Sequence, residues 1–419
     1  MIERYYSEKM KKIWGEGNYY GKWKEVEAAV LRVRGEERLA EELKGVSISA
    51  EKIKELEKEL NHELNAFLAF LELAMGERAS AIHKGLTSSD VMDTARAMQI
   101  RESLELIEEQ GERISALLKE KAEIYKDTLM CGRTHGQVAE PITLGYKLLR
   151  FQEEMERNLR RIEEAKPRLF SGKISGAVGT YSLVSPDEEK KVLELLGLNV
   201  LGITSQILPR DIFAEYLFLL ALVSNFAASL ALEIRLLSQD GIRELAEPFT
   251  EKQTGSSAMP HKKNPVLSER ICGLARLAGA HLQVALGNMS LWNERDISHS
   301  SNERIILEES SALTSYILDL LEYILKGLVV FSVNMEENIK EAGARIYSSG
   351  ALKLLLDMKI PRSRAYGLIR GLFSENLGRA DIAERLARET GLDPKEIKKV
   401  LMPEYYLKNI REIFKQRGM

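Results

Sequence analysis

Val91 to Leu118 reads VMDTARAMQIRESLELIEEQGERISALL. Apolar residues recur at Val91, Ala95, Met98, Leu104, Ile107, Ile114 and Leu118, close to the helical period. Thr87, Ser88, Ser89 and Asp90 stand just before it as N-cap candidates. No proline occurs before Pro141, so nothing breaks the pattern. The stretch reads as one long helix. A second gap in proline, from Pro265 to Pro361, permits more. Further helices are expected over about 213–237, 267–288 and 304–331. Strand signals are sparse; 174–181, with Gly176 and Gly179, reads as a short hairpin or loop. The fold class is all-α. Residues 1–90 are expected to form an N-terminal helical domain, 91–335 a bundle of long helices, and 336–419 a smaller helical domain. Helices this apolar on several faces call for oligomerisation through the bundle.

The chain has 419 residues, 44% of them hydrophobic, enough for a sizeable core. A net charge of -3, with both signs mixed along the chain, gives no pull toward nucleic acid or an anionic membrane. The two cysteines, Cys131 and Cys272, make neither a metal-type pair nor a disulfide framework. The start, MIERYYSEKM, lacks a signal-peptide apolar core, so a cytoplasmic location is expected. Residues 216–232, YLFLLALVSNFAASLAL, approach the length of a membrane span. Ser224, Asn225 and Ser229 interrupt them and Glu215 and Glu233 flank them, so a core helix of a large helical assembly is expected instead.

Against this helical background, 253–265 reads QTGSSAMPHKKNP. Gly255, Pro260 and Pro265 break regular structure. The remaining side chains bring hydroxyls, an imidazole, ammonium groups and an amide, a set suited to gripping and deprotonating an anion. Gly255 lets the backbone turn tightly and suggests a loop that closes over substrate. Lys262, Lys263 and His261 favour an oxyanion nearby. Ser256 or Ser257 could then take a proton from a weakly acidic C–H next to a carboxylate, while lysine and Asn264 hold that carboxylate.

Three other stretches carry similar chemistry. In CGRTHGQVAEP, 131–141, His135 stands at a break between helices as a candidate acid or base. HKGLTSSD, 83–90, places His83 before a run of hydroxyls at a helix start, where free N–H groups bind carboxylate or phosphate. LWNERDISHSSNERII, 291–306, sets Arg295 and Arg304 around Ser298, Ser300 and Ser301, a grip for phosphate or carboxylate. Of the six histidines, His281 alone has an apolar helical context and reads as structural. No Walker loop, dinucleotide fingerprint or metal-ligand spacing appears in the sequence, so neither cofactor nor metal is expected.

GSSAMPHKKNP matches throughout the signature loop of the fumarase/aspartase superfamily, G-S-S-x-M-P-x-K-x-N-P. Within it, the chain resembles the adenylosuccinate lyase family over nearly its full length. The resemblance rests on MIERY, HKGLTSSDVMDTA, GRTHGQVAEP, GKISGAVGTY, EIRLL, the signature loop, LWNERDISHSSNERIIL and YYLKNIREIF. It implies helical homotetramers with a central long-helix bundle, sites built from three subunits, and β-elimination releasing fumarate.

It also implies roles. Arg4 and Tyr5 match residues that hold a nucleotide phosphate, as do Arg295, Ser300, Ser301 and Arg304. Asn61, His62, Glu63, Thr87, Ser88 and Gln206 match substrate-binding positions, with His62 and His83 as active-site histidines. His135 matches the general acid, Ser256 the general base and Ser257 its substrate-binding neighbour. Lys262, Lys263, Asn264 and Glu269 match anion-binding and supporting residues of the loop. The chain departs from the family pattern at Glu63, where an aspartate is usual, at Asn293, where a histidine is, and at Gln137 and Val138. A carboxymuconate cycloisomerase, an argininosuccinate lyase or a catalytically silent structural homologue would share the scaffold. The Arg4–Tyr5 and 295–304 phosphate grips speak against the first two, whose substrates carry no phosphate; retained His135, Ser256 and Lys262 speak against the third.

Overall fold

The computed structural model describes residues 3–375 and 377–419. Met1 and Ile2 of the MIERY stretch and Asn376 lie outside the described residues. The fold is helical, and its strands are short and paired in two-stranded sheets. The elements used below are α1 (Glu16–Val33), α2 (Glu63–Met75), α3 (Ser88–Ile124), β1 (Leu129–Thr134), β2 (Gln137–Thr143), α4 (Leu144–Leu169), α5 (Arg210–Leu237), α6 (Val266–Gly287) and α7 (Ser298–Lys326). The long helices fall where the proline gaps allow them. Two boundaries differ from the sequence reading. α7 starts six residues before Arg304, in the polar SHSSNE segment, and ends at Lys326, ahead of a short strand at Val329–Val330. The 174–181 segment is a loop, not a hairpin.

The chain divides into two compact units. The first comprises 1–113, 155–229 and 270–322. Its core is aromatic where α1 meets α2: Trp23 packs edge-on to Phe67 at 5.4 Å, with Tyr20 alongside. Deeper in this unit, Lys173 pairs with Asp90, and both side chains are fully buried. Asp90 also accepts hydrogen bonds from the backbone N–H groups of Thr87 and Ser175, at 2.8 and 3.0 Å. One carboxylate therefore fixes the start of α3 to the 173–176 segment. Such a buried charge persists only because it is fully paired.

α5 passes a length and hydropathy test for a membrane span, and 61% of its most apolar window is buried. Two of its polar interruptions are used internally: Ser224 shares a hydrogen bond with Thr314 at 3.0 Å, and Asn225 donates to the Ala221 carbonyl at 2.8 Å.

The second unit comprises 114–154, 230–269 and 323–419. Its core joins Cys131 to apolar residues of the C-terminal helices, among them Tyr347, Leu355, Ile369 and Leu386. Burial pushes the Cys131 thiol up to about 11, so it packs as an inert apolar group. Tyr406 ties this region together, donating to the Tyr347 carbonyl at 2.7 Å and accepting from Gly350 N–H at 2.8 Å.

Candidate active site

In the first unit, one pocket is lined by Arg295, Ser300 and Arg304 together with Ser89, Arg96 and Tyr19. α7 creates it: Ser300 and Arg304 are four residues apart and share a helix face. Arg295 precedes α7 and donates from Nη1 to Gln206 Oε1 at 3.0 Å. Burial lowers the pKa of Arg295 from its ordinary value. Arg304 donates to Glu63 Oε2 at 2.6 Å. Burial raises the Glu63 carboxyl against the opposing charge of Arg304. The structure thus brings together Arg295, Ser300, Arg304, Gln206 and Glu63. Ser301 is exposed on the same helix.

The remaining positions in this unit sit at or between the ends of elements. Arg4 and Tyr5 lie in a short 3-10 turn, with the Tyr5 ring edge-on to Tyr316 at 5.3 Å. Asn61 is left-handed, with φ 49°, and ends the preceding helix. His62 caps α2, its Nδ1 accepting from Asn65 N–H at 3.2 Å, which leaves Nε2 as the outward nitrogen. Thr87 and Ser88 begin α3, and Asp90 reaches back to the Thr87 N–H as in a capping box. His83 has φ 58° and contacts Glu27.

In the second unit, His135 occupies a two-residue turn between β1 and β2. His135 and Gly136 both have positive φ, 53° and 74°, the requirement of a type I′ hairpin. The expected break between helices is therefore a β-hairpin. Its turn end is held by Arg133, which makes two 2.9 Å bonds to the fully buried Glu244 carboxylate. Asn338 donates to the same carboxylate at 2.8 Å. Burial opposes the Arg133 charge, but Glu244 outweighs it and raises the guanidinium pKa.

The signature loop folds back on itself. Ser256 N–H donates to Lys262 O at 3.2 Å, and Lys262 N–H to Met259 O at 2.9 Å. A Cβ at Gly255 would stand 2.3 Å from Pro260 O and 2.9 Å from Lys262 O, so only glycine fits. Ser256 Oγ accepts from Met259 N–H at 3.3 Å. A donor aimed at the hydroxyl oxygen favours its ionised form. Ser257, Lys262 and Lys263 are exposed and Asn264 is half-buried; Lys263 lies 5.0 Å from the Phe249 ring. Glu269 is exposed in the first turn of α6. The α6 N-terminus is capped by Glu247, which accepts from Leu267 N–H at 3.1 Å.

A family model described as lyase matches residues 23–278. The adenylosuccinate lyase of Aquifex aeolicus is 42% identical over 98% of this chain and 97% of its own length. That of Bacillus subtilis is 39% identical over the whole of both chains. The chain belongs to the adenylosuccinate lyase family. Among solved structures, a fumarate lyase from Mesorhizobium sp. BNC1 superposes with a TM-score of 0.87 at 26% identity, covering 98% of this chain and 97% of that one.

In this member of the adenylosuccinate lyase family, the pocket also has a backing layer that none of the motifs marks as a unit. Behind Arg295 lies a buried cluster of Asp93, Arg210, His299 and Glu303. Arg210 donates to Asp93 at 2.6 Å and to Glu303 at 2.9 Å. His299 Nδ1 lies 2.9 Å from Glu303, and its Nε2 accepts from Arg295 Nε at 3.4 Å. Burial pushes the Asp93 carboxyl up, but Arg210 and the Leu208 N–H outweigh it and hold it below its ordinary value. The sequence carries no local signal for it: Asp93 is three residues from Asp90, a spacing that two acids on a solvated helix face would share.

Proposed function

We propose that the chain eliminates fumarate from adenylosuccinate, giving AMP, and from the succinylated aminoimidazole carboxamide ribotide. The observation that carries this reading is the pocket that gathers Arg295, Ser300 and Arg304. Two guanidiniums and a hydroxyl suit a nucleotide phosphate, which the cycloisomerase and argininosuccinate alternatives do not offer.

In this reading, Ser256 Oγ removes a proton from the succinyl Cβ as the C–N bond opposite breaks. Lys262 and Asn264 stabilise the negative charge that spreads onto the adjacent carboxylate. His135 gives a proton to the departing nitrogen, so that the amine leaves neutral. His62, His83, Thr87 and Ser88 contact substrate, Arg4 and Tyr5 the phosphate, and Glu269 supports the loop. Ser256, Lys262 and His135 belong to one unit and the phosphate pocket to the other. The assembly in this reading is a homotetramer whose sites are built from several subunits. No cofactor takes part, and the enzyme works in the cytoplasm.

Ser256→Ala and His135→Ala test the roles. Each is expected to abolish turnover while circular dichroism and melting temperature stay those of the wild type. Turnover near the wild-type rate in either variant would overturn its assignment.

A further inference from the structure

Glu27 is one of the most deeply buried acids of the first unit, with 1% of its side chain exposed. It lies on α1, 56 residues before His83 in the sequence. Both of its carboxylate oxygens are spent on a single residue. Oε2 accepts the backbone N–H of His83 at 3.0 Å, and Oε1 lies 2.8 Å from His83 Nδ1. His83 adopts φ 58°, a left-handed conformation that a non-glycine residue keeps only when its surroundings impose it. The next residue is fastened from the C-cap of the same helix. Arg34, seven residues and two turns beyond Glu27, donates to the Lys84 carbonyl at 2.7 Å and is itself held by Glu188 at 2.6 Å. On the far side, Asp90 holds Thr87 N–H.

We propose that Glu27 is the positioning residue for His83, setting both the backbone conformation and the tautomer with which this imidazole faces substrate. The inference rests on the reading of His83 as an active-site histidine. An ionised carboxylate can only accept, so Nδ1 carries a proton and donates to Oε1. Nε2 is then the nitrogen left for substrate. A glutamine at 27 has the same shape but one accepting oxygen and one donating amide. It cannot satisfy the His83 N–H and the Nδ1–H together. Either the backbone bond is lost, or the ring shifts its proton to Nε2.

The test compares adenylosuccinate turnover in wild type, Glu27→Gln, His83→Asn and the double variant. Glu27→Gln alone is expected to lower kcat/KM by about tenfold or more, as losing the partner that orients an imidazole does. In the His83→Asn background the same change should cost less than about twofold, because residues acting as one unit are non-additive. An equal loss in both backgrounds, or wild-type kinetics in Glu27→Gln, would overturn the proposal. A second readout needs no activity: carbethoxylation of His83 by diethyl pyrocarbonate, followed by peptide mass spectrometry. It should slow several-fold in Glu27→Gln and hold its rate at His281; an unchanged rate at His83 would refute the positioning role. Wild-type protein that leaves adenylosuccinate untouched would sink the functional reading, and the labelling would still decide this one. If Glu27→Gln does not fold, Glu27→Asp, which keeps two acceptors on a shorter stem, is read by the same two measurements.

Discussion

The Arg210 guanidinium lies 2.6 Å from the Asp93 carboxylate, with 2% of the Arg210 side chain exposed. The same guanidinium bonds Glu303 at 2.9 Å. Arg210→Met would leave two carboxylates buried without their cation. The expected cost is about 3–5 kcal/mol, read as a lower midpoint in chemical denaturation. Because His299 and Arg295 hang from this cluster, KM should rise in the folded fraction as well. Unaltered stability would show that the cluster does not hold the pocket.

Asp93 also gives a pH signature. Its folded-state carboxyl lies below its ordinary value: burial opposes the charge, and Arg210 outweighs burial. The stability it contributes is therefore present above the unfolded value, about 3.9, and is lost as pH falls through the folded value. Asp93→Asn should be markedly less stable than wild type at neutral pH. The gap should begin to narrow near pH 3.9 and close only once the pH is below the folded value. Thermal melts at several pH values measure it, and a gap that widens in acid would reverse the sign assigned here.

Arg304 belongs to the pocket and is held by Glu63 at 2.6 Å. In the proposed role, Arg304 makes a charge-assisted bond to phosphate worth about 1.5–3 kcal/mol, which Arg304→Met would remove. KM for adenylosuccinate should rise about 10- to 100-fold, with a smaller effect on kcat. The dephosphorylated succinyl-nucleoside should be handled alike by wild type and variant. Steady-state kinetics on both substrates checks this; equal losses on both would remove Arg304 from the phosphate contact.

Gly255 has no room for a side chain, since a Cβ would stand 2.3 Å from Pro260 O. Gly255→Ala should distort the turn that sets Ser256 against Met259 N–H. A misplacement of about 1 Å can cost about 100-fold in rate. The loop is largely exposed and contributes little to the core, so melting temperature should move little. A variant with normal kcat would show that the loop tolerates the shift.

The long helices were legible because their signal is local. Val91 to Leu118 carries its own period, and proline is absent where helices run. The signature loop was legible from composition alone, since nothing in QTGSSAMPHKKNP can build a core. The hairpin carrying His135 was not, although Thr134-His135-Gly136-Gln137 has the length of a two-residue turn. Its pairing partner LMCGRT has little alternation, a bulge interrupts the register between Cys131 and Arg133, and Pro141 suggested a break. The supporting charges were hidden for a different reason. Glu27 meets His83 across 56 residues, and Arg210 meets Asp93 across 117. No local pattern distinguishes such a carboxylate from one on a solvated helix face; only its burial does.

The most direct test of the central claim is a spectrophotometric assay of the purified protein with adenylosuccinate, using argininosuccinate as the control substrate. Adenylosuccinate should disappear with equimolar AMP and fumarate appearing, and argininosuccinate should be left unchanged. Intact, folded protein that leaves adenylosuccinate untouched would contradict it.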